Sequence, residues 1–403
     1  MKPEDAADID ELLTRSIASI LPSRELFKKA LLAEKKLRIY IGADATGPDL
    51  HIGHATNFIF LEKLRKLGHE IIVLFGDFTA MIGDPTDKDA TRVALTEEEV
   101  EKNLATWKLQ VGKILSLDDK KNPVRIVKNS TWLSKLSFAD VVKLASNFTV
   151  QQMMERDMFE KRMVENKPIH LHEFLYPLMQ GYDSVELDVD AEVGGNDQTF
   201  NMLAGRTLQR KMHNKEKFVI ATTLLVNPKT GQKLMSKSTG GYISLQDSPN
   251  DMFGKAMALP DEAIIAVFID CTLLSLPEIE SIKKDLEGGK NPKDAKIRLG
   301  KELVGLYYDA TQADKAEKNF TDTFSKKGIS DDAEVFSATS GEKIIDVIVR
   351  AKLVSSKTEA RRLFDEGAVS EIGGEKITDQ AFGVTKDINV KVGKHRFLKI
   401  KVS

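Results

Sequence analysis

The chain of 403 residues is 41% hydrophobic and 30% charged with a formal net charge of −2, the composition of a globular, soluble protein too long for one ordinary domain. Its single cysteine, Cys271, excludes a disulfide framework and a multi-cysteine zinc site. No apolar run approaches membrane-spanning length and the first residues are acidic and polar, unlike a signal peptide, so a cytoplasmic location is expected.

Residues 1–36 read as helices, with Ile9, Leu12, Leu13 and Ile17 on one face and Leu21-Pro22 as a break. A short β-prone run at 37–41 enters a loop holding Gly42, Thr46 and His51-Ile52-Gly53-His54. Phe58, Leu61, Leu64 and Leu67 then mark one face of a helix that Gly68 stops. Five consecutive apolar residues, 71–75, form the next strand. Strand, helix, strand is a right-handed parallel crossover and predicts a doubly wound, Rossmann-like α/β core with ligands beyond the carboxyl ends of its strands.

Thr96 with Glu99 is a capping box for a helix to about Leu115, and 124–127 is another strand. Residues 136–163 are largely helical, with Met153, Met154, Met158 and Met163 suited to a core or a subunit interface. The helix predicted over 170–180 sets Tyr176, Gln180 and Asp183 at i, i+4 and i+7, one stripe if it persists. A strand at 187–193 ends in Gly194-Gly195-Asn196-Asp197-Gln198, followed by a helix over 199–208 and a strand over 218–222. The loop 227–241 holds Leu234-Met235-Ser236-Lys237-Ser238 between glycines, 249–320 is helical, and 321–341 is polar and linker-like. From Gly341 to Ser403 there are 13 Lys+Arg against 9 Asp+Glu, whereas the remainder has 46 against 52. A small basic α+β module on an acidic body, with a helix bearing Arg361 and Arg362 before Gly367, suits docking on a polyanion.

A helix N-terminus presents unpaired N–H groups and partial positive charge, which attract phosphate. His51 and His54 add donors there, Gly53 leaves room for a nucleotide, and Thr46 offers a hydroxyl. Lys237, on its glycine-flanked loop, is placed to close over a triphosphate. Phosphate chemistry needs positioning and neutralisation of developing charge, which such a set supplies.

The two separated motifs, His51-Ile52-Gly53-His54 and Leu234-Met235-Ser236-Lys237-Ser238, resemble the HIGH and KMSKS motifs of class I aminoacyl-tRNA synthetases. With Tyr40-Ile-Gly-Ala-Asp44-Ala-Thr46, Gly76-Asp-Phe-Thr-Ala-Met-Ile-Gly-Asp84-Pro85, Tyr176-Pro-Leu-Met-Gln180-Gly-Tyr-Asp183 and Gly194-Gly195-Asn-Asp197-Gln198, nearly the whole chain resembles the bacterial tyrosyl-tRNA synthetases. That resemblance implies that Tyr40 and Asp183 bind the substrate phenol, that Asp84, Tyr176 and Gln180 hold its ammonium, and that Gln198 lies near its carboxylate. It implies ATP contacts at Gly42, Asp44, Gly53, His54, Gly195, Asp197, Lys237 and Ser238, with catalysis by Thr46, His51, His54, Lys233 and Lys237. Arg361 and Arg362 would grip the tRNA backbone. It further implies L-tyrosine, ATP and tRNA(Tyr) as substrates, Mg2+ accompanying ATP without a permanently bound metal, and a homodimer.

The implied domains are a catalytic unit, 1–248, with a helical dimerisation insert at about 120–180, a helical tRNA-binding unit, 249–325, a linker, 326–340, and an RNA-binding unit, 341–403. Two departures stand out. The first lysine of the second motif is Leu234, with Lys233 just before it, and Ala43 and Ala45 replace phenylalanine and proline. The competing readings are a tryptophanyl relative, a small-molecule nucleotidyltransferase, and a non-catalytic RNA-binding paralogue motivated by Leu234.

Overall fold

The computed structural model describes residues 9–85, 95–235, 242–325, 335–354, 356–372, 376–393 and 396–402. Its largest sheet comprises β1 (Ile17–Leu21), β2 (Arg38–Asp44), β3 (Glu70–Gly76), β4 (Arg125–Lys128), β5 (Ala191–Gly195) and β6 (Phe218–Thr222). They lie in the order β1-β6-β5-β2-β3-β4, with β1 antiparallel to β6 and the other pairings parallel. The chain builds outward from β2 through β3 to β4, then crosses to the other side of β2 for β5 and β6. Strand order therefore reverses between β2 and β5, where a doubly wound sheet leaves a crevice.

Strand β3 shows how composition sets this core. Ile71, Val73 and Phe75 join the main apolar cluster, whereas Ile72 and Leu74 join Tyr40, Leu187 and Val189 in another. Alternate residues face opposite sides of a strand, so an unbroken apolar run reads as a strand covered on both faces. Four helices frame the crevice: α1 (Ile52–Lys66), α2 (Glu97–Val111), α3 (Leu171–Glu186) and α4 (Thr199–His213). The capping box expected at Thr96 and Glu99 opens α2. Helices α3 and α4 approach closely, since a Cβ at Gly181 would stand 3.1 Å from the backbone nitrogen of Gly205.

Several local expectations are corrected. Ile17 belongs to edge strand β1 and not to an N-terminal helix, because Ser16 turns the chain at φ +60° and β6 offers a free edge. Arg15, buried beside that turn, donates to the carbonyls of Phe268, Ile269, Thr272 and Leu274. Helix α3 continues beyond residue 180 to Glu186, and β5 starts at Ala191, so 187–190 is a turn and not strand, with Leu187 and Val189 buried and Asp188 exposed. The segment 136–163 is largely helical as expected, in three short helices, Phe138–Ala145, Val150–Met154 and Asp157–Val164.

Five helices follow, from Pro249–Met257 to Ala310–Ser325, and their apolar faces are continuous with the main core through Met252, Phe253, Phe268 and Leu303. The last helix runs into the stretch read as linker, and Val335–Ala338 within that stretch is a strand. It pairs parallel with Arg396–Val402 in a four-stranded sheet whose other members are Ile388–Val392 and Val369–Glu371. Helices Ile344–Arg350 and Lys357–Asp365 share with that sheet a core of their own, built on Ile348, Phe364, Val390 and Leu398. Among the described residues no helix is long and apolar enough to cross a membrane.

Candidate active site

Beyond the carboxyl ends of β2 and β5 lies a cavity of about 370 Å³. Its wall includes Gly42, Asp44, Thr46, His51, Gly53 and His54 from the β2–α1 segment, and Asp84 from the loop after β3. Tyr176, Gln180 and Asp183 enter from α3, Gly195, Asp197 and Gln198 from the end of β5, and Lys233 from the later loop. Residues from five separate stretches of sequence thus share one cavity.

Helix α1 begins at the histidine motif. His51 is its N-cap, in extended conformation, and its backbone N–H donates to Nδ1 of His54 at 3.2 Å. The two imidazoles stack with centroids 3.8 Å apart. Accepting at Nδ1 puts the proton of a neutral His54 on Nε2, a donor beside the helix N-terminus. A Cβ at Gly53 would stand 3.1 Å from the His51 ring, so this glycine lets the ring close down on the helix.

The lysine loop is tethered to this motif on its outgoing side, and on its incoming side to the segment after β6 and to its own outgoing side. On its outgoing side, Ile52 N–H donates to the Ile243 carbonyl at 3.1 Å and Leu245 N–H to the Leu50 carbonyl at 2.9 Å. The Tyr242 hydroxyl donates to Asp49 at 3.1 Å. On the incoming side, Leu234 N–H donates to the Leu225 carbonyl at 3.0 Å, and the buried Met235 accepts from Ile243 N–H at 3.5 Å. Lys237 and Ser238 lie outside the described residues. The departures from the motifs have a packing explanation. Leu234 packs against the main core while Lys233 lines the cavity and pairs with Asp197 at 3.0 Å; Ala43 and Ala45 also pack in the core.

The opposite wall is a connected polar network. Tyr176 donates to Asp44 Oδ2 at 2.9 Å, and Thr79 donates to Asp44 Oδ1 at 2.7 Å. Burial, and then Asp44 and Asp84, push the Tyr176 phenol well above its ordinary pKa, so it stays a donor to Asp44. Gln198 donates to Asp84 at 2.8 Å, and the Arg156 guanidinium stands 3.8 Å from the same carboxylate. Asp183 accepts from Trp132 Nε1 at 2.7 Å and from Asn129 Nδ2 at 3.2 Å. Burial raises its pKa well above that of an ordinary carboxylate, against the pull of those two hydrogen bonds.

Tyr40 departs from the expectation. It is fully buried, its hydroxyl shares a 2.8 Å hydrogen bond with Ser184, and it stands one layer behind the cavity wall. Arg361 and Arg362 are exposed on the helix Lys357–Asp365, away from the set that forms the cavity wall. Residues not singled out from the sequence include Asn129, Trp132, Arg156, Ser184, Glu192 and Lys217. The one signal for the last two was a charge on either side of a buried strand: Glu192 between Ala191 and Val193, and Lys217 just before β6.

Residues 32–325 match the family described as tRNA synthetases class I (W and Y), and residues 325–398 match the tyrosine–tRNA ligase SYY-like C-terminal domain. The curated tyrosine–tRNA ligase of Haemophilus ducreyi is 42% identical over 391 residues, covering 97% of each chain. That of Carboxydothermus hydrogenoformans is 44% identical over 405 residues, again covering 97% of each. Among solved structures, the C-terminally truncated mitochondrial tyrosyl-tRNA synthetase of Aspergillus nidulans superposes with a TM-score of 0.66 at 24% identity, over 78% of this chain and 94% of that one. The tyrosyl-tRNA synthetase of Archaeoglobus fulgidus complexed with L-tyrosine gives 0.59 at 25% identity, over 77% and 99%.

Proposed function

Because the chain belongs to the class I tyrosyl-tRNA synthetases, it activates tyrosine with ATP and charges tRNA, and we propose the following division of labour within the cavity. Tyrosine lies along α3. Asp183 accepts a hydrogen bond from its phenol, and Tyr40 supports that end from behind, its hydroxyl bonded to Ser184 and still able to donate or accept once more. At the other end Asp84, Tyr176 and Gln180 surround the ammonium, which needs acceptors and a carboxylate once it leaves water. Gln198, held by Asp84, lies beside the substrate carboxylate. ATP lies against Gly42, Gly53 and Gly195, with Asp44 and Asp197 toward the adenosine and Ser238 on the lysine loop. Lys233 pairs with one oxygen of Asp197, which leaves the other to accept from the adenosine while the ammonium stays beside the phosphate end of the cavity.

The tyrosine carboxylate then attacks the α-phosphorus in line, a bond to pyrophosphate breaks, and tyrosyl-adenylate remains. Charge growing on the phosphate oxygens is met by His51 and His54 at the α1 N-terminus, the Thr46 hydroxyl, and the lysines of the later loop, Lys233 and Lys237. That end is lined by imidazoles and an ammonium, which suit phosphate oxygens, whereas Mg2+ takes oxygen ligands, so we assign Mg2+ to the triphosphate itself. In the second step a ribose hydroxyl of the 3′-terminal adenosine of tRNA(Tyr) attacks the tyrosyl carbonyl carbon, an ester forms, the acyl–phosphate bond breaks and AMP leaves. The helices over 249–325 and the module from 341, with Arg361 and Arg362, hold the tRNA backbone. Because its substrates are ATP and tRNA, we place the enzyme in the cytoplasm.

The observation that carries this reading is the single α3 stripe of Tyr176, Gln180 and Asp183 facing one cavity with His51 and His54. Pyrophosphate exchange into ATP tests it, with tyrosine, phenylalanine and tryptophan as separate substrates. Tyrosine alone should support exchange, and Lys237→Ala should lower kcat by about 10²-fold or more, as expected for a donor used in the transition state. Exchange with none of the three would point instead to a protein that only binds RNA.

The dimer is also proposed here. Within 138–171, Phe138 (83% exposed), Val142, Val150, Met163, Val164 and Leu171 (84% exposed) leave much apolar surface in water. Such an accumulation marks an interface. Light scattering at micromolar concentration should give twice the chain mass, and Phe138→Asp should shift it toward one. A parent chain that runs as a monomer would sink the assignment.

A further inference from the structure

Behind the amino-acid end of the cavity lies an ion pair with no assigned role. Lys217 and Glu192 are buried, with side chains 0% and 1% exposed, and are in direct hydrogen-bonded contact. Lys217 Nζ also donates to Ser184 Oγ at 2.8 Å, and Ser184 shares its hydrogen bond with Tyr40. The other carboxylate oxygen of Glu192 accepts from Gln180 Nε2 at 3.0 Å. Space for the pair is provided by Gly205 in α4, where a Cβ would stand 2.6 Å from Ser184 Oγ and closer still to Lys217 Nζ. Glycine inside a helix is unfavourable, so this position is shaped by what lies against it.

A carboxylate only accepts. Facing Glu192, the Gln180 amide must therefore give its NH2 to the carboxylate, which turns its Oε1 away from Glu192. Gln180 lines the cavity, so that oxygen is available to a donor inside it. Lys217 Nζ donates to one oxygen of Glu192 and Gln180 Nε2 to the other, so both carboxylate oxygens are engaged as acceptors and the amide is held with its NH2 toward them.

We propose that Lys217 is a positioning residue for the amino-acid substrate: by holding Glu192 as a pure acceptor, it fixes the Gln180 amide with Oε1 toward the substrate ammonium. This rests on the reading that Gln180 binds that ammonium. It adds a determinant that touches no substrate atom and reaches the site through two intervening side chains.

The pairing makes a directional prediction. In Glu192→Gln, the Lys217 ammonium attracts the new amide oxygen, so the new NH2 points at Gln180. Gln180 must then turn its own oxygen toward residue 192 and present NH2 to the substrate ammonium, a donor facing a donor. Adding Lys217→Met frees the new glutamine to rotate, and Gln180 recovers its orientation. A second core change would ordinarily compound the damage; here it should repair it.

The full chain is assayed by pyrophosphate exchange, with thermal melting as a control on folding. Glu192→Gln should raise the tyrosine KM roughly ten-fold or more, the loss of one charge-assisted hydrogen bond, with the ATP KM unchanged within about two-fold. Lys217→Met/Glu192→Gln should return the tyrosine KM to within a few-fold of the parent. Inhibition by 3-(4-hydroxyphenyl)propionate, which lacks the ammonium, should be equal in all three proteins. Equal weakening of this inhibitor and tyrosine, or a double variant no better than Glu192→Gln, overturns the proposal. Where Glu192→Gln does not fold, Lys217→Met/Glu192→Leu carries the test: it buries neither charge, releases the amide, and should weaken tyrosine but not the inhibitor. Gln180→Ala, run in parallel, separates the two levels. If it leaves the tyrosine KM unchanged, the underlying assignment of Gln180 fails; if it raises KM while the Glu192 variants do not, only the role of Lys217 fails.

Discussion

Replacing Asp183 with asparagine is expected to lower kcat/KM for tyrosine by about 10- to 100-fold while the ATP KM stays within about two-fold. The carboxylate is 2% exposed and already accepts from Trp132 and Asn129, so its orientation is fixed before substrate arrives. Its remaining lone pairs are those available to the phenolic proton. Asparagine keeps the shape but exchanges one acceptor for an NH2, and a charge-assisted hydrogen bond becomes a neutral or opposed one. Phenylalanine, with no hydroxyl to bury, should lose far less, so selectivity narrows along with activity.

Two pH profiles follow from the raised pKa of Asp183, and they run in opposite directions. In the proposed role Asp183 accepts from the substrate phenol as a carboxylate, so tyrosine binding is expected to need it ionised. As pH falls, protonation begins earlier than for an exposed aspartate, so kcat/KM for tyrosine should drop on an acid limb that Asp183→Asn lacks. Folding prefers the carboxyl neutral. Its contribution to stability is fully present below the unfolded pKa, about 4, and is lost as pH rises through the higher folded value. The denaturant stability of Asp183→Asn relative to the parent should therefore increase from about pH 4 toward neutrality. A stability difference that is flat over this range would show that Asp183 carries no burial cost.

The site was legible where its chemistry is local. His51-Ile52-Gly53-His54 announces a helix N-terminus with two donors, and the spacing of Tyr176, Gln180 and Asp183 places them on one face of α3. Both patterns lie within a few residues, so helical geometry alone aligns them. What stayed hidden depends on partners distant in sequence. The Lys217–Glu192 pair joins residues 25 positions apart, one in β5 and one just before its neighbour β6, and Gly205 acquires its meaning only when that pair is seen against α4. For Tyr40 the resemblance implies contact with the substrate phenol. The register that sets it beside Glu192 instead buries it against Ser184. The same limit explains Ile17: an apolar residue at helical spacing was claimed by the edge of β6, roughly two hundred residues later, which no local pattern encodes.

His54→Ala should have the largest effect on chemistry, lowering kcat for tyrosine activation by about 10²–10³-fold with little change in either KM. The argument is one of timing. His54 is held by the His51 N–H on Nδ1 and by stacking on the His51 ring, so Nε2 is aimed before ATP binds. A donor fixed in advance costs no reorganisation when charge develops on the phosphate oxygens, and so stabilises the transition state more than bound ATP. His54→Gln, which keeps an N–H donor on a more flexible side chain, should fall between the parent and alanine. Losing the acceptor for the N-cap N–H costs about 1 kcal/mol of stability, so melting temperatures are compared before rates. The decisive quantity is how the loss divides. A fall in kcat at constant ATP KM places the histidine in the transition state, whereas a raised ATP KM at constant kcat would assign it to holding the ground-state triphosphate.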